Sequence, residues 1–179
     1  MEKERLAQVI AAYGQDILRF CRITAGSRAE GDELYQDTML ILLEKRNGLD
    51  GSQNVKGYAL SVAVKLWKNR QRKAARRLRL VPQESLEELV QRGVQPGESV
   101  SPEEALLQRN QAEILREMIR QLPEGYRLPL QLHYSADLPV KEIARLMKLP
   151  ESTVKTRLRR AKEQLRQKLE EMDDDRTAI

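Results

Sequence analysis

Apolar residues recur along most of this chain with the period of a helix. Leu6, Val9, Ile10, Tyr13, Ile17, Phe20 and Cys21 predict one buried face over residues 4–24, and Gly26 ends that helix. Ser27-Arg28-Ala29-Glu30 has capping-box spacing, so a second helix is expected from about 28 to 45, with Leu34, Thr38, Ile41 and Leu42 among its apolar positions. Asn47 to Asn54 reads as a loop. Tyr58, Ala59, Val62, Ala63 and Leu66 then mark the core face of a third helix that runs to about Leu80. Trp67 follows and is expected in the bundle rather than as a stacking aromatic. Beyond it the apolar stripe nearly vanishes, so this end should project from its bundle. Residues 81–100 carry Pro82, Gly93, Pro96 and Gly97 among acids and serine, the composition of a linker with a short helix at 84–91. Ser101-Pro102-Glu103-Glu104 starts the next helix, through Leu106, Ile114, Leu115, Met118 and Ile119 to Leu122. Another is expected from Glu124 to about Ser135, with Pro129 inside it, which predicts a kink or an altered first turn. No strand pattern and no internal repeat is visible.

The sharpest pattern lies at 139–169. Val140, Ile143, Ala144 and Met147 form one apolar face, Lys148-Leu149-Pro150 break it with Leu149 placed to plug the turn, and Val154, Leu158, Ala161, Leu165 and Leu169 form a second stripe. This reads as a helix-turn-helix. On its second helix Ser152, Thr156, Arg159 and Arg160 lie opposite the stripe, flanked by Lys155 and Arg157. A short polar and basic face at a fixed angle is what reading a DNA major groove requires.

The expected fold is therefore all-α: two small helical domains joined by a flexible acidic linker, the C-terminal one containing the helix-turn-helix. The expected boundaries are 1–80, a linker at 81–102, 103–172, and a tail at 173–179 that frays from its acidic stretch Glu170 to Asp175. Charge sharpens this division. The net charge of +5 is modest, yet residues 65–79 carry Lys65, Lys68, Arg70, Arg72, Lys73, Arg76, Arg77 and Arg79 with no acid among them. The connector that follows is acidic, and the recognition helix is basic again. Two basic blocks separated by an acidic stretch point to two nucleic-acid contacts. Cys21 is the only cysteine and His133 the only histidine, so an intramolecular disulfide and a cysteine–histidine zinc site are excluded. Cys21, on an apolar face, is expected to be a buried thiol. No apolar run approaches the roughly 18 residues of a membrane span, and no signal peptide is visible, so a cytoplasmic protein without direct membrane insertion is expected.

Several strings resemble, in order and spacing, the extracytoplasmic-function group of bacterial RNA polymerase sigma factors. Tyr13-Gly14-Gln15-Asp16-Ile17-Leu18-Arg19-Phe20 is similar to that family's opening helix, and Asp32-Glu33-Leu34-Tyr35-Gln36-Asp37-Thr38 to its region 2.2. Leu122-Pro123-Glu124-Gly125-Tyr126-Arg127 resembles the opening of region 4. Val140-Lys141-Glu142-Ile143-Ala144 and Ser152-Thr153-Val154-Lys155-Thr156-Arg157-Leu158 resemble its helix-turn-helix. The resemblance covers essentially the whole chain. It implies docking on core RNA polymerase by Asp32, Glu33, Leu34, Gln36 and Asp37. It implies capture and melting of the minus-ten promoter element by the third helix and the loop before it, with Lys56, Lys65, Lys68, Asn69, Arg72, Lys73 and Arg76 as candidates. Ser152, Thr153, Lys155, Thr156, Arg157, Arg159 and Arg160 would read the minus-thirty-five element. Where many members have Trp-Leu-x-x-Ile-Ala-x-Asn-x-x-x-Asp in the third helix, this chain has Tyr58-Ala59-x-x-Val62-Ala63-x-Lys65-x-x-x-Asn69, a more basic surface. The implied partners are core polymerase, promoter DNA and an anti-sigma factor, with no cofactor and no small-molecule substrate.

Two other readings compete. A stand-alone helix-turn-helix regulator would need a dimer seam or ligand pocket in its first domain, where this chain offers an acidic helix and a second basic block. An enzyme would need a phosphate-binding glycine loop, a metal cluster or a nucleophile motif, and the sequence has none; His133 sits in the apolar stretch around Leu130, Leu132 and Tyr134.

Overall fold

The computed structural model describes residues 3–45, 54–80 and 102–177. The expected linker, the short helix at 84–91, the Ser101 cap and nearly all of the 47–54 loop lie outside the described residues. Seven helices are described: α1 (Lys3–Ala25), α2 (Arg28–Glu44), α3 (Val55–Leu80), α4 (Pro102–Gln121), α5 (Glu124–Tyr134), α6 (Val140–Met147) and α7 (Glu151–Thr177), with no strand among the described residues.

The first three helices pack on one another because their apolar stripes face inward. Ile17, Phe20 and Cys21 from α1, Leu34 and Leu42 from α2, and Ala59, Leu60 and Ala63 from α3 are buried together, with Trp67 packed at the edge. Two backbone features set the α1–α2 corner. Gly26 ends α1 at φ 84°, a left-handed conformation that glycine adopts without strain. Ser27 then caps α2 by accepting the Glu30 N–H at 3.2 Å, as its spacing predicts. Further on, a Cβ at Gly31 would lie 2.4 Å from the Cα of Arg22, so only glycine lets these helix backbones approach so closely. Thr38, buried in the middle of α2, satisfies its hydroxyl on the Leu34 carbonyl at 2.7 Å.

Cys21 is fully buried, and burial pushes its thiol up to about 12, because the thiolate loses its hydration there. The folded thiol thus keeps its proton to higher pH than the unfolded one. This contribution to stability is intact below the ordinary thiol range near 9 and is lost as pH rises from there toward 12. A thiol-reactive dye at pH 8 should therefore label Cys21 only at the rate of unfolding. Immediate labelling of the native chain would contradict this packing.

In the second half α7 packs against α4, α5 and α6. The helix-turn-helix corner is built as its sequence suggests. Lys148 takes φ 54°, its N–H reaches the Arg145 carbonyl at 3.3 Å, and the Leu149 N–H reaches the Ala144 carbonyl at 3.0 Å. This is a Schellman ending, and Leu149 packs into the core beneath it. His133 places its Nδ1 3.0 Å from the Leu138 carbonyl, tying the end of α5 to the segment that leads into α6. The two halves also touch. Thr24 donates to the buried Gln131 at 3.3 Å, and Lys68 pairs with Glu124 at 2.9 Å.

Three expectations need correction. Tyr13 is 41% exposed rather than core, because its ring lies beneath the Lys56 ammonium instead of between helices. Leu115 is likewise exposed on α4. Pro129 lies inside α5, as expected, and is fully buried there. Helix α7 continues to Thr177, through the acidic stretch expected to fray.

Candidate functional site

The basic block of α3 resolves into two faces. At about 100° per residue, Lys65, Asn69, Arg72 and Arg76 fall within roughly 60° of arc, and all four are exposed, as is Lys73 beside them. Among the described residues Lys65, Arg72, Lys73 and Arg76 enter no ion pair, which leaves their charge available to an external anion. Arg70 lies on the inward side of the same helix, beyond the point where apolar packing stops. Its guanidinium turns to α2, 2.6 Å from Asp37 and 3.7 Å from Glu33.

Lys56 departs from the expectation of a DNA-facing cation. Its side chain is buried against α1, bound to Asp16 at 2.7 Å and set over the Tyr13 ring at 5.3 Å. A lysine so enclosed must keep its counterion, so its charge serves the bundle. Lys68 is half-exposed and is held by Glu124 of the other half.

The acidic residues of α2 form the next surface. Glu33 and Gln36 are exposed, and Asp37 is half-exposed against Arg70. Asp32 is paired with Arg22 at 2.6 Å, and that guanidinium holds its carboxyl below the usual carboxylate range. Leu34 does not belong to this surface: it is fully buried, one residue round the helix from Glu33 and therefore on the core side. The structure adds Leu40, 57% exposed on the same arc as Glu33 and Gln36. The sequence signal for it was a leucine off the Leu34–Thr38–Leu42 stripe.

On α7 the face opposite Val154, Leu158 and Ala161 is as predicted for Ser152, Lys155, Thr156, Arg159 and Arg160, all exposed. Arg159 is bridged to Glu163 at 2.6 Å; both side chains are well exposed, so DNA phosphate or a base edge can displace the glutamate at little expense. Thr153 is half-buried. Arg157 is half-buried too, with its guanidinium 3.4 Å from the Gly125 carbonyl of α5. Arg157 is thus turned in part toward α5, unlike its exposed neighbours Thr156 and Arg160.

Among the described residues no group of three or more His, Cys, Asp or Glu side chains could hold a metal ion. No described helix is long and apolar enough to cross a membrane.

Comparison with known proteins falls on the same two halves. Residues 9–77 match the family model for Sigma-70 region 2, and residues 112–165 match that for Sigma-70, region 4. The chain is 24% identical over 172 residues to the ECF RNA polymerase sigma factor SigW of Bacillus subtilis (strain 168), covering 96% of this chain and 92% of that one. Among solved structures, the fold is similar to that of the sigma factor RpoE in complex with the anti-sigma factor NepR from Bartonella quintana. That match has a TM-score of 0.73 at 16% identity, over 93% of this chain and 98% of that one. It is also similar to CnrH in complex with the cytosolic domain of CnrY, with a TM-score of 0.67 at 16% identity, over 94% and 90% of the two chains. With both regions matched in order, each on the half whose geometry suits it, the chain belongs to the sigma-70 family, in its extracytoplasmic-function group.

Proposed function

We propose that this chain is a promoter-specificity subunit: it binds core RNA polymerase through α2 and directs transcription initiation through two separate DNA faces. The observation that carries this is the division of exposed charge. One basic face, without ion pairs among the described residues, lies on α3; a second, where only Arg159 is bridged, lies on α7; and a third, acidic face lies on α2 with Leu40 at its centre. A stand-alone regulator has no use for that docking face. The chemistry is binding and melting rather than bond-making: phosphate neutralisation by α3, capture of an unstacked base beside it, and base reading by α7.

In this reading Glu33, Gln36, Asp37 and Leu40 meet the polymerase. Asp37 also anchors Arg70, so a charge reversal there would disturb the α2–α3 contact as well as docking. Leu40→Asp separates the two effects, since Leu40 packs on neither neighbour's core and the fold should survive. A carboxylate desolvated at the interface in place of leucine should weaken core binding by about tenfold or more. Competition with wild-type chain for purified core polymerase measures this. Undiminished competition by Leu40→Asp would remove α2 as the docking face.

The solved neighbours RpoE and CnrH are each held by a protein partner, NepR and CnrY respectively. We extend to this chain regulation by an anti-sigma factor that covers α2 and at least one DNA face. Affinity capture from uninduced cells should then recover such a partner with the chain, and recovery of polymerase subunits alone would count against it.

A further inference from the structure

Resting on the reading just given, one residue expected to touch DNA acquires a different role. Arg157 lies on the reading helix, yet its guanidinium turns back across α5 and donates from Nη1 to the Gly125 carbonyl at 3.4 Å. Gly125 is the second residue of α5, so within the helix its carbonyl should receive the N–H of residue 129. Residue 129 is proline and has no N–H to give. The carbonyl is thereby left without its helical donor, and the Arg157 guanidinium stands within hydrogen-bond reach of it. The position a Cβ would take at residue 125 is 3.5 Å from Nη1 and 3.8 Å from Cζ, so the guanidinium packs directly over the α5 backbone at the glycine. Thr156 and Arg160, beside Arg157 on α7, remain exposed.

We propose that Arg157 is a positioning residue. It supplies the hydrogen bond that Pro129 withholds, and so fixes the angle between α5 and the helix that reads the minus-thirty-five element. Bidentate contact with a base edge tolerates little angular error, so preference for sequence should depend on Arg157 although its guanidinium is directed at protein. A phosphate contact behaves otherwise: its loss weakens all sequences alike and lowers the salt slope by about one.

The test is a double-mutant cycle between residues 157 and 129. Pro129→Ala restores an N–H to the Gly125 carbonyl and should make Arg157 dispensable; Pro129→Val serves if the smaller side chain leaves too large a cavity. Holoenzyme containing each variant is assayed on promoters with a randomised minus-thirty-five element at several salt concentrations. Arg157→Gln alone should reduce sequence preference about tenfold, the scale of one base contact, with an unchanged salt slope. In the Pro129→Ala background the same change should reduce it less than about twofold. Thermal unfolding of the free chain gives a readout independent of DNA. Arg157→Gln should lower the melting temperature by about 4 °C with Pro129 and by almost nothing with alanine there. A salt slope lowered by one, or equal effects in both backgrounds in either assay, would overturn the proposal. Wild-type holoenzyme in the same assay reports on the function itself. Were it indifferent to the minus-thirty-five sequence, the functional reading would fall and this role with it, whatever the melting temperatures show.

Discussion

Replacing Arg72, Lys73 and Arg76 together with alanine should abolish promoter melting by the holoenzyme while leaving the chain folded and bound to core. The three side chains are exposed at the end of α3, past the last apolar packing, and form no ion pair among the described residues. Removing them takes nothing from the core. If each neutralises one phosphate, the salt slope of promoter binding should fall by about two to three. Affinity at moderate salt should drop by orders of magnitude. Minus-thirty-five preference should persist in whatever binding remains, because α7 is untouched. Permanganate reactivity at the minus-ten element reads melting directly. Normal melting by the triple variant would move the minus-ten function away from α3. The neighbours Arg70 and Lys56 are the natural contrast. Both are cations of the same helix, but both are held by acids of the bundle, so their loss should appear first in stability.

Gly31 carries the largest expected effect on the fold. Alanine is the better helix former by roughly 0.5–1 kcal/mol, so on local grounds Gly31→Ala should stabilise α2. The tertiary contact reverses the sign. The new methyl would lie 2.4 Å from the Arg22 Cα and 2.8 Å from its backbone nitrogen, and backbone inside a helix cannot swing aside as a side-chain tip can. Forcing α1 and α2 apart should cost about 1–3 kcal/mol net, with valine worse than alanine. For a domain of this size that is a fall of roughly 4–20 °C in melting temperature. The same displacement would part Arg22 from Asp32 and tilt the docking face, so core binding should weaken in step. A Gly31→Ala chain as stable as wild type would mean that α1 and α2 can separate freely.

How far the sequence could be read follows from the range of each interaction. Leu34, Thr38 and Leu42 were visible as one stripe because helix periodicity depends on neighbours three and four residues away. The turn at Lys148-Leu149-Pro150 was visible for the same reason. What periodicity cannot see is which charged residue a distant element will claim. Lys56 was counted among the DNA-facing cations by resemblance alone; its partner Asp16 lies 40 residues earlier on another helix. Arg70 looked like one more cation; it is the partner of Asp37, 33 residues away. Leu34 was drawn into the docking set by a resemblance of strings, although its own stripe placed it in the core. Arg157 was placed on the DNA face by its position beside Thr156 and Arg160 and by a resemblance of strings; its turn toward Gly125, 32 residues earlier, had no local signal. The joining of the halves through Thr24 and Gln131, 107 residues apart, had no local signal at all.

In the function proposed above, one chain gives core RNA polymerase promoter specificity through two separate DNA faces. The most direct measurement is transcription by purified core polymerase on a library randomised at the minus-ten and minus-thirty-five elements, with and without the chain. The chain alone should confer initiation on a defined subset of sequences. Arg160→Ala should change selection only at minus-thirty-five, and the Arg72, Lys73 and Arg76 variant should lose initiation across the library by failing to melt. Initiation that does not depend on the chain would rule out this function. So would Arg160→Ala altering only melting, or the α3 variant altering only minus-thirty-five preference.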